Sequence, residues 1–483
     1  MQRFLWSLLA VGLVPISLGQ HYNCNGVQTV NPPANISNPY VYPSTWYYND
    51  NPPQYAGGQN CTWNINVPKG MYAYFAVKAN ISNSGVLQMT DSTGYVTTIT
   101  VAFLEPYYLM DPSFTVSLVT NNVGSMGMMV YWYNVKPVNT THINLPANSS
   151  PLTLFDPNFD IGTTILADTK VSLLSIAPNM IAVNLTPLMR ITQIFDGPYI
   201  NSTHLGNLYQ IMESGKNLVS SGKYLTLYSL YPGYNVGNTV VIQDYNDVQQ
   251  FKSYRPVWCV KPDLCQVSLD ATKGTAAVLR YSPSPFYVKG MSLAQTSNLS
   301  VYTDYVTDPH RLAVYTSDNS KTNIPQEFSN TFTTFVLDKG LGTIQLSSNP
   351  AESKWYIPFE GRSGFFASPN FAVNSPNQNF TNQLSGAGTF NISYTVASAD
   401  LFSGARLRVI ILDGQYIIND TSYSSTNYPQ NTVYAKGDNI FVQYTPNGLR
   451  SNGALVNFHF DKYNSASSFG FLGAMIVTLW AAL

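Results

Sequence analysis

Residues 60–77 read NCTWNINVPKGMYAYFAV, and the spacing of their apolar positions decides the fold class. Cys61, Trp63, Ile65 and Val67 recur at every second position, the period of a half-buried β-strand. Pro68-Lys69-Gly70 supplies a turn and MYAYFAV reads as the returning strand, which puts Cys61 at a strand start, facing a core. The same grammar recurs at 221–230 (SGKYLTLYSL), 405–414 (ARLRVIILDG) and 439–444 (NIFVQY), while helical periodicity is almost absent. Such a chain is expected to be all-β, a series of antiparallel β-sandwiches of jelly-roll type.

The compartment follows from the chain ends and the glycosylation acceptors. Residues 1–19 hold one basic residue, an apolar run from Phe4 to Val14 and a small-residue end, the pattern of a secretory signal peptide. Asn-x-Ser/Thr acceptors stand at Asn35, Asn60, Asn80, Asn139, Asn148, Asn184, Asn201, Asn298, Asn379, Asn391 and Asn419, spread over the whole chain as in a glycosylated ectodomain. Pro187, just after the Asn184 acceptor, disfavours that one. Residues 469–483 are uncharged and apolar, yet at 15 residues they fall short of the ~20 that span a bilayer as a helix. Small residues precede them, so 464–483 fits a GPI-attachment signal with Asn464 and Ser465 as candidate attachment points; a retained apolar tail is the alternative.

With 24 basic against 25 acidic residues and only 10% of positions charged, the chain lacks the clustered Lys and Arg that nucleic acid demands. The 34 tyrosines suit half-buried strands, and equally suit a recognition surface, because Tyr offers rigid amphipathic area at low entropy cost.

An internal comparison organises the chain. Residues 188–228 and 407–444 both show an alternating strand, then Asp-Gly (Asp196-Gly197 and Asp413-Gly414), a sequon-bearing loop, and a short polar turn opening a second strand. Residues 87–94 (LQMTDSTG) stand in the analogous place in the N-terminal third.

That order of elements resembles the CUB domain, an extracellular β-sandwich. Residues 360–371 (EGRSGFFASPNF) are similar to the family's opening signature, and Asp413-Gly414, Asp438-Asn439 and ALVNFHF to its closing half. The stretch from Cys24 to about Pro137, with NPPANIS, YPSTW, NCTWNINVPKG and EPYYL, resembles the divergent CUB-like domain of nematode secreted proteins. The expected boundaries are 20–140 for an N-terminal CUB-like domain, 150–250 for a second CUB-like sandwich, 255–350 for a third β-rich domain and 355–463 for a C-terminal CUB-like domain. The resemblance implies a Cys24–Cys61 disulfide, and pairing within each local segment leaves Cys259 with Cys265. In an oxidising compartment all four are staples. The calcium site of many CUB domains is not expected, because Arg190 and Leu407 stand where its central acid would be and Asn447 where the last is due.

No catalytic, metal or cofactor site emerges. His21, His142, His204, His310 and His459 are scattered without metal-ligand spacing, and no Gly-x-Ser-x-Gly elbow occurs. The resemblance therefore implies a non-enzymatic, glycosylated binding protein, surface-anchored or secreted, of the kind associated with pathogen response at the intestinal surface. Its partners would be an extracellular protein or glycan and, through a lipid anchor, the membrane. Trp46, Tyr47, Tyr48 and Tyr55 are candidate contact residues, with packing inside the first domain as the competing role. A structural coat glycoprotein and a hydrolase with an unrecognised site are the alternatives.

Overall fold

A computed structural model describes residues 22–463 apart from 82–84, 101–103, 137–139, 156–161, 178–179, 232–238, 258, 260–264, 374, 377, 428–430 and 449. The signal peptide, the Asn139 acceptor, the apolar tail and the attachment candidates Asn464 and Ser465 lie outside the described residues, as does the side chain of Asn184. The chain divides into two compact units, Met1–Pro137 and Val138–Leu483.

The first unit begins with β1 (Asn25–Val30), β2 (Tyr40–Tyr42), β3 (Gln54–Tyr55), β4 (Asn60–Asn66) and β5 (Met71–Asn80). It continues through β6 (Gly85–Thr90), β7 (Val96–Thr98), β8 (Glu105–Met110), β9 (Ser113–Thr120) and β10 (Gly124–Asn134). They form two sheets, β1-β4-β9-β6-β7 and β2-β10-β5-β8, with β3 added to β10. Cys61, Trp63 and Ile65 point from β4 into the core between the sheets, where Phe75, Phe114, Met128 and Trp132 meet them. One expectation is corrected: β4 and β5 are not a hairpin. β4 pairs with β1 and β9 and β5 with β8 and β10, so Pro68-Lys69-Gly70 is an arch from one sheet to the other. The reason lies in β5, whose every second residue (Ala73, Phe75, Val77, Ala79) needs the same core that β4 already faces.

The second unit repeats this plan twice. Its first module holds β11 (Thr141–Leu145), β12 (Leu152–Phe155), β13 (Thr163–Ala167), β14 (Val171–Ile176) and β15 (Thr192–Asp196). β16 (Thr203–Asn207), β17 (Leu218–Val219), β18 (Tyr224–Ser229) and β19 (Thr239–Asp244) complete it. The next holds β20 (Ser253–Pro256), β21 (Cys265–Ala271), β22 (Ala276–Tyr281), β23 (Phe286–Leu293) and β24 (Leu299–Thr303). β25 (Arg311–Tyr315), β26 (Gln326–Phe328), β27 (Phe332–Leu337) and β28 (Gly340–Ser347) close that one. The sheets run β11-β13-β18-β15-β16 with β12-β19-β14-β17, and β20-β22-β27-β24-β25 with β21-β28-β23-β26. With β3 set aside, this strand order is the one found in the first unit, including the parallel pairing of the first strand with the third (β1 with β4, β11 with β13, β20 with β22).

The last module contains β29 (Ser363–Ala367), β30 (Ser375–Pro376), β31 (Phe380–Ala399), β32 (Arg406–Asp413), β33 (Tyr416–Tyr423), β34 (Val433–Thr445), β35 (Arg450–Ser451) and β36 (Ala454–Lys462). Here a six-stranded sheet, β29-β36-β31-β34-β32-β33, and a two-stranded one, β30-β35, replace the pair. β31 is unusually long: Phe380–Ser385 pairs with β34 only, whereas Phe390–Ala399 pairs with β36 and its first part, Phe390–Tyr394, with β34 as well. The ladder is interrupted between Ser385 and Phe390, where Gly388 takes φ +116, a conformation that favours glycine.

The Asp-containing turns fall at one place in the plan. Asp91, Asp196 and Asp413 lead into the hairpins β6–β7, β15–β16 and β32–β33. The Asp196 carboxylate accepts from the Ser221 N–H just before β18, and the Asp413 carboxylate meets Lys436 Nζ at 3.2 Å on β34, so each ties its hairpin to the next strand. Among the helical segments that strand periodicity does not announce is the helix α1 (Leu208–Ser214). Its signals were present: Asn207 and Gln210 form a reciprocal capping box and Gly215 ends the helix in the left-handed region.

Continuous apolar contact joins the modules of the second unit. Leu174, Val241, Tyr254 and Leu279 share one cluster across the first seam, and Phe328, Phe365 and Leu455 share another across the second. At the second seam Arg362 is fully buried; its guanidinium donates to the Pro325 and Ile357 carbonyls and lies 5.0 Å from the Trp355 ring and 5.8 Å from that of Phe458. Burial lowers its pKa to about 9.

Two substitutions test this packing. A Cβ at Gly127 would lie 2.4 Å from the Trp46 ring, so Gly127→Ala is expected to cost about 1–3 kcal/mol in urea unfolding by displacing Trp46. At the seam, Arg362→Ala leaves two carbonyls unpaired and a void and should cost about 3 kcal/mol or more. Arg362→Met keeps an unbranched stem against Trp355 and Phe458 and should cost distinctly less by the same measurement.

Candidate functional site

Alternation sends the odd-numbered residues of β5 into the core and the even-numbered ones outward. Tyr72 and Tyr74 therefore share the outer face with Tyr131 and Tyr133 of β10 and Tyr108 of β8, which the registers place opposite them. Ring centroids are 5.4 Å apart for Tyr72 and Tyr133, 5.5 Å for Tyr74 and Tyr108, and 6.2 Å for Tyr131 with either Tyr74 or Tyr133. Tyr72 and Tyr108 are buried, Tyr74 and Tyr131 half-buried, and Tyr133 is exposed. Beside them the exposed Tyr47 and Tyr48 meet in a tilted pair with centroids 4.5 Å apart, and the Tyr48 hydroxyl, with smaller effects from Tyr131 and Asp50, holds the Tyr47 phenol above its ordinary pKa.

The four aromatic candidates thus divide. Trp46 packs on Ala76 and Met129 over Gly127, and Tyr55 lies in the core, whereas Tyr47 and Tyr48 face solvent. The strand tyrosines were missed, although the Tyr-x-Tyr spacing at 72–74 and 131–133 marks residues of one strand face.

A second concave site lies in the other unit, between β23 and β26 on one side and β31 and β34 on the other. This cleft of ≈ 510 Å³ is lined by Tyr287, Glu327, Tyr356, Phe380, Asn382 and Phe441 among others, with the Asn379 acceptor also on its wall. The Glu327 carboxylate accepts from Asn382 Nδ2 at 2.8 Å and from the Tyr287 hydroxyl, and Asn382 in turn accepts from Trp355 Nε1 at 3.1 Å. Burial raises the Glu327 pKa against those two hydrogen bonds.

One polar row has the composition of a hydrolytic site. Ser363 Oγ lies 2.7 Å from His459 Nδ1, and His459 Nε2 lies 2.9 Å from Asp461 Oδ1. The three stand on the outer face of β29 and β36, and the Asp461 side chain is 66% exposed. An open sheet face does not exclude water from a reacting group, so the row reads as a surface ladder.

Both disulfides, Cys24–Cys61 and Cys259–Cys265, are formed, with Cα atoms 5.7 and 5.1 Å apart. Asn35, Asn60, Asn80, Asn148, Asn201, Asn298, Asn379 and Asn391 are exposed and Asn419 is half-buried, so each acceptor whose side chain is described can be reached. Among the described residues no group of three or more metal-ligating side chains converges. Of the positions weighed for calcium, Arg190 lies 4.2 Å over the Tyr209 ring.

Comparison with known families now places the first unit: the model of the CUB-like domain matches residues 20–136. This segment is a CUB-like domain. Two further models, both described as domains of unknown function (DUF7592 and DUF7591), match residues 145–230 and 246–349. No curated protein matches the chain. Among solved structures, the CUB1-EGF-CUB2 domains of rat MASP-1 are similar at 10% identity, over 45% of this chain and 100% of that one, with a TM-score of 0.18. The corresponding domains of human MASP-1/3 share 8% identity over 41% and 99%, TM-score 0.18. PliG of Aeromonas hydrophila, a periplasmic inhibitor of g-type lysozyme, shares 8% over 23% and 100%, TM-score 0.14. A CUB-like module stapled by a disulfide suggests an extracellular binding protein, and CUB-like domains are typically non-catalytic.

The cleft gives a pH prediction. Because burial raises the Glu327 pKa, the folded state holds that proton more tightly than the unfolded chain; the stabilisation is full below the ordinary value of 4.5 and is lost as pH climbs through the raised one. Glu327→Gln is therefore expected to raise Tm at pH 7 relative to the parent and to change it little at pH 4, measured by calorimetry. Equal shifts at both pH values would show that Glu327 does not set the dependence.

Proposed function

We propose that the protein is a glycosylated recognition protein of an epithelial, intestinal surface, acting in pathogen response and held to the membrane by a C-terminal GPI anchor. The tyrosine-tiled outer face of the CUB-like module carries this reading. Tyr47, Tyr48 and Tyr133 offer flat amphipathic rings at little entropic cost, backed by the half-buried Tyr74 and Tyr131, a composition suited to a protein or glycan ligand. Exposed acceptors and two disulfides accord with a secreted route. In this reading the signal peptide is 1–19, four serial modules occupy 20–140, 150–250, 255–350 and 355–463, and the anchor is attached at Asn464 or Ser465.

A second reading, a hydrolase, has only the solvent-open Ser363–His459–Asp461 row to stand on. Labelling of the chain by a fluorophosphonate, abolished in Ser363→Ala, would replace recognition with catalysis; absence of labelling removes that reading.

The double substitution Tyr47→Ala/Tyr133→Ala is expected to weaken binding to intestinal epithelial surfaces, or to a glycan array, about tenfold without changing Tm. Undiminished binding would move the ligand off this face. Concentration-dependent self-association with no ligand selectivity would favour a structural coat instead.

A further inference from the structure

The described chain leaves the last module at Tyr463, the residue after β36. Side-chain contacts fix what surrounds that exit. Lys436 Nζ lies 4.9 Å from the Tyr463 ring and 3.2 Å from Asp413 Oδ2, and Asp413 opens the β32–β33 hairpin, whose Gly414 N–H donates to Asp438. Tyr434, two residues from Lys436, shares its face of β34. Beside the Lys436–Asp413 pair this end of the module exposes large apolar side chains: Tyr416 and Tyr434 are each 78% exposed, Ile417 59%, Ile418 47% and Tyr463 39%.

Only five residues, 464–468, separate Tyr463 from the uncharged apolar run 469–483. Fully extended they reach about 18 Å. If that run or a lipid at Asn464 or Ser465 holds the chain to a bilayer, this end of the module is the part that must lie nearest the lipid. Its make-up fits the place, since tyrosines flanked by lysines and a few aliphatics are what settles at the boundary of headgroups and acyl chains.

We infer that the β32–β33 hairpin tip, with Tyr434 and Tyr463, rests on the bilayer surface, so that the module stands on the membrane instead of swinging from a tether. This rests on the proposed anchor. The Asn391 acceptor, whose Nδ2 donates to the Lys462 carbonyl, and the Asn419 acceptor border the patch, and glycans there would confine the contact to headgroup depth.

The test uses the full chain on eukaryotic cells. All four native cysteines are in disulfides, so Ile417→Cys or Tyr434→Cys introduces a single thiol for a membrane-impermeant maleimide, with Ser214→Cys as an exposed reference. Labelling at 417 and 434 is expected to be at least about fivefold slower than at 214 on the cell, and to equal it after release by phosphatidylinositol-specific phospholipase C. Release with unchanged, equal rates would overturn the contact while leaving the anchor in place. Protein that stays on the cell after treatment refutes the lipid anchor; there, slow labelling still supports the contact and equal labelling overturns it. Protein shed without treatment overturns both.

Discussion

The parallel pairing of first and third strands is the constraint on which each nine-strand module depends. Two parallel neighbours cannot be joined by a tight turn, so the chain must leave the sheet between them. In all three such modules it does so by laying the second strand into the opposite sheet, as β2, β12 and β21 show. The crossing ties the two sheets together before the antiparallel strands are added, and it commits every later strand to one sheet or the other. The arch at Pro68-Lys69-Gly70 is one consequence: β4 and β5 are adjacent in sequence, yet they line opposite walls of one core.

This explains what was legible in the sequence. The alternation around Cys61 gave a strand and an inward face, because those are local consequences of a period of two, while its partner Cys24 was implied only by the family resemblance. The Asp-Gly turns marked hairpins, since their chemistry acts within a few residues. Pairing partners were not legible. Nothing in Trp63 or Phe75 says whether their strands hydrogen-bond each other or only pack face to face, and both arrangements bury the same side chains. The tyrosine face failed for a related reason: Tyr72 and Tyr133 are 61 positions apart, and only the register of β5 on β10 brings them together. The cleft at Glu327 and the buried Arg362 arise where two modules meet, so no single segment announces them.

The last module shows how the same plan is altered by one strand. Where the others turn between their third and fourth strands, β31 continues through a glycine-containing irregularity and stays beside β34 in one sheet, with β36 added along its second half. With no parallel first strand beside Phe380–Ser385 in the sheet order, that edge instead faces Tyr287 and Glu327 of the preceding module, and Tyr356 supplies the carbonyl that receives the Ser385 N–H. The place taken by a strand in the other modules is here shared between a loop and a cleft. Polar residues such as Asn382 are retained there because they satisfy Glu327 and Trp355, which burial would otherwise leave costly.

Charge is too scarce on this chain to keep aromatic surfaces apart, since only 10% of residues carry one. Glycan acceptors stand where they can do that work. Asn80 is on the same outward face of β5 as Tyr72 and Tyr74, at the opposite end of the strand, and Asn419 is two residues from Ile417 on the edge strand β33. An exposed edge carrying tyrosine and isoleucine invites strand addition from another chain, and a bulky polar group beside it opposes that without adding charge. Under this logic these sequons border apolar surfaces and leave bare Tyr133 in the first unit, where a partner is proposed, and Tyr416 in the last module, where the bilayer is proposed.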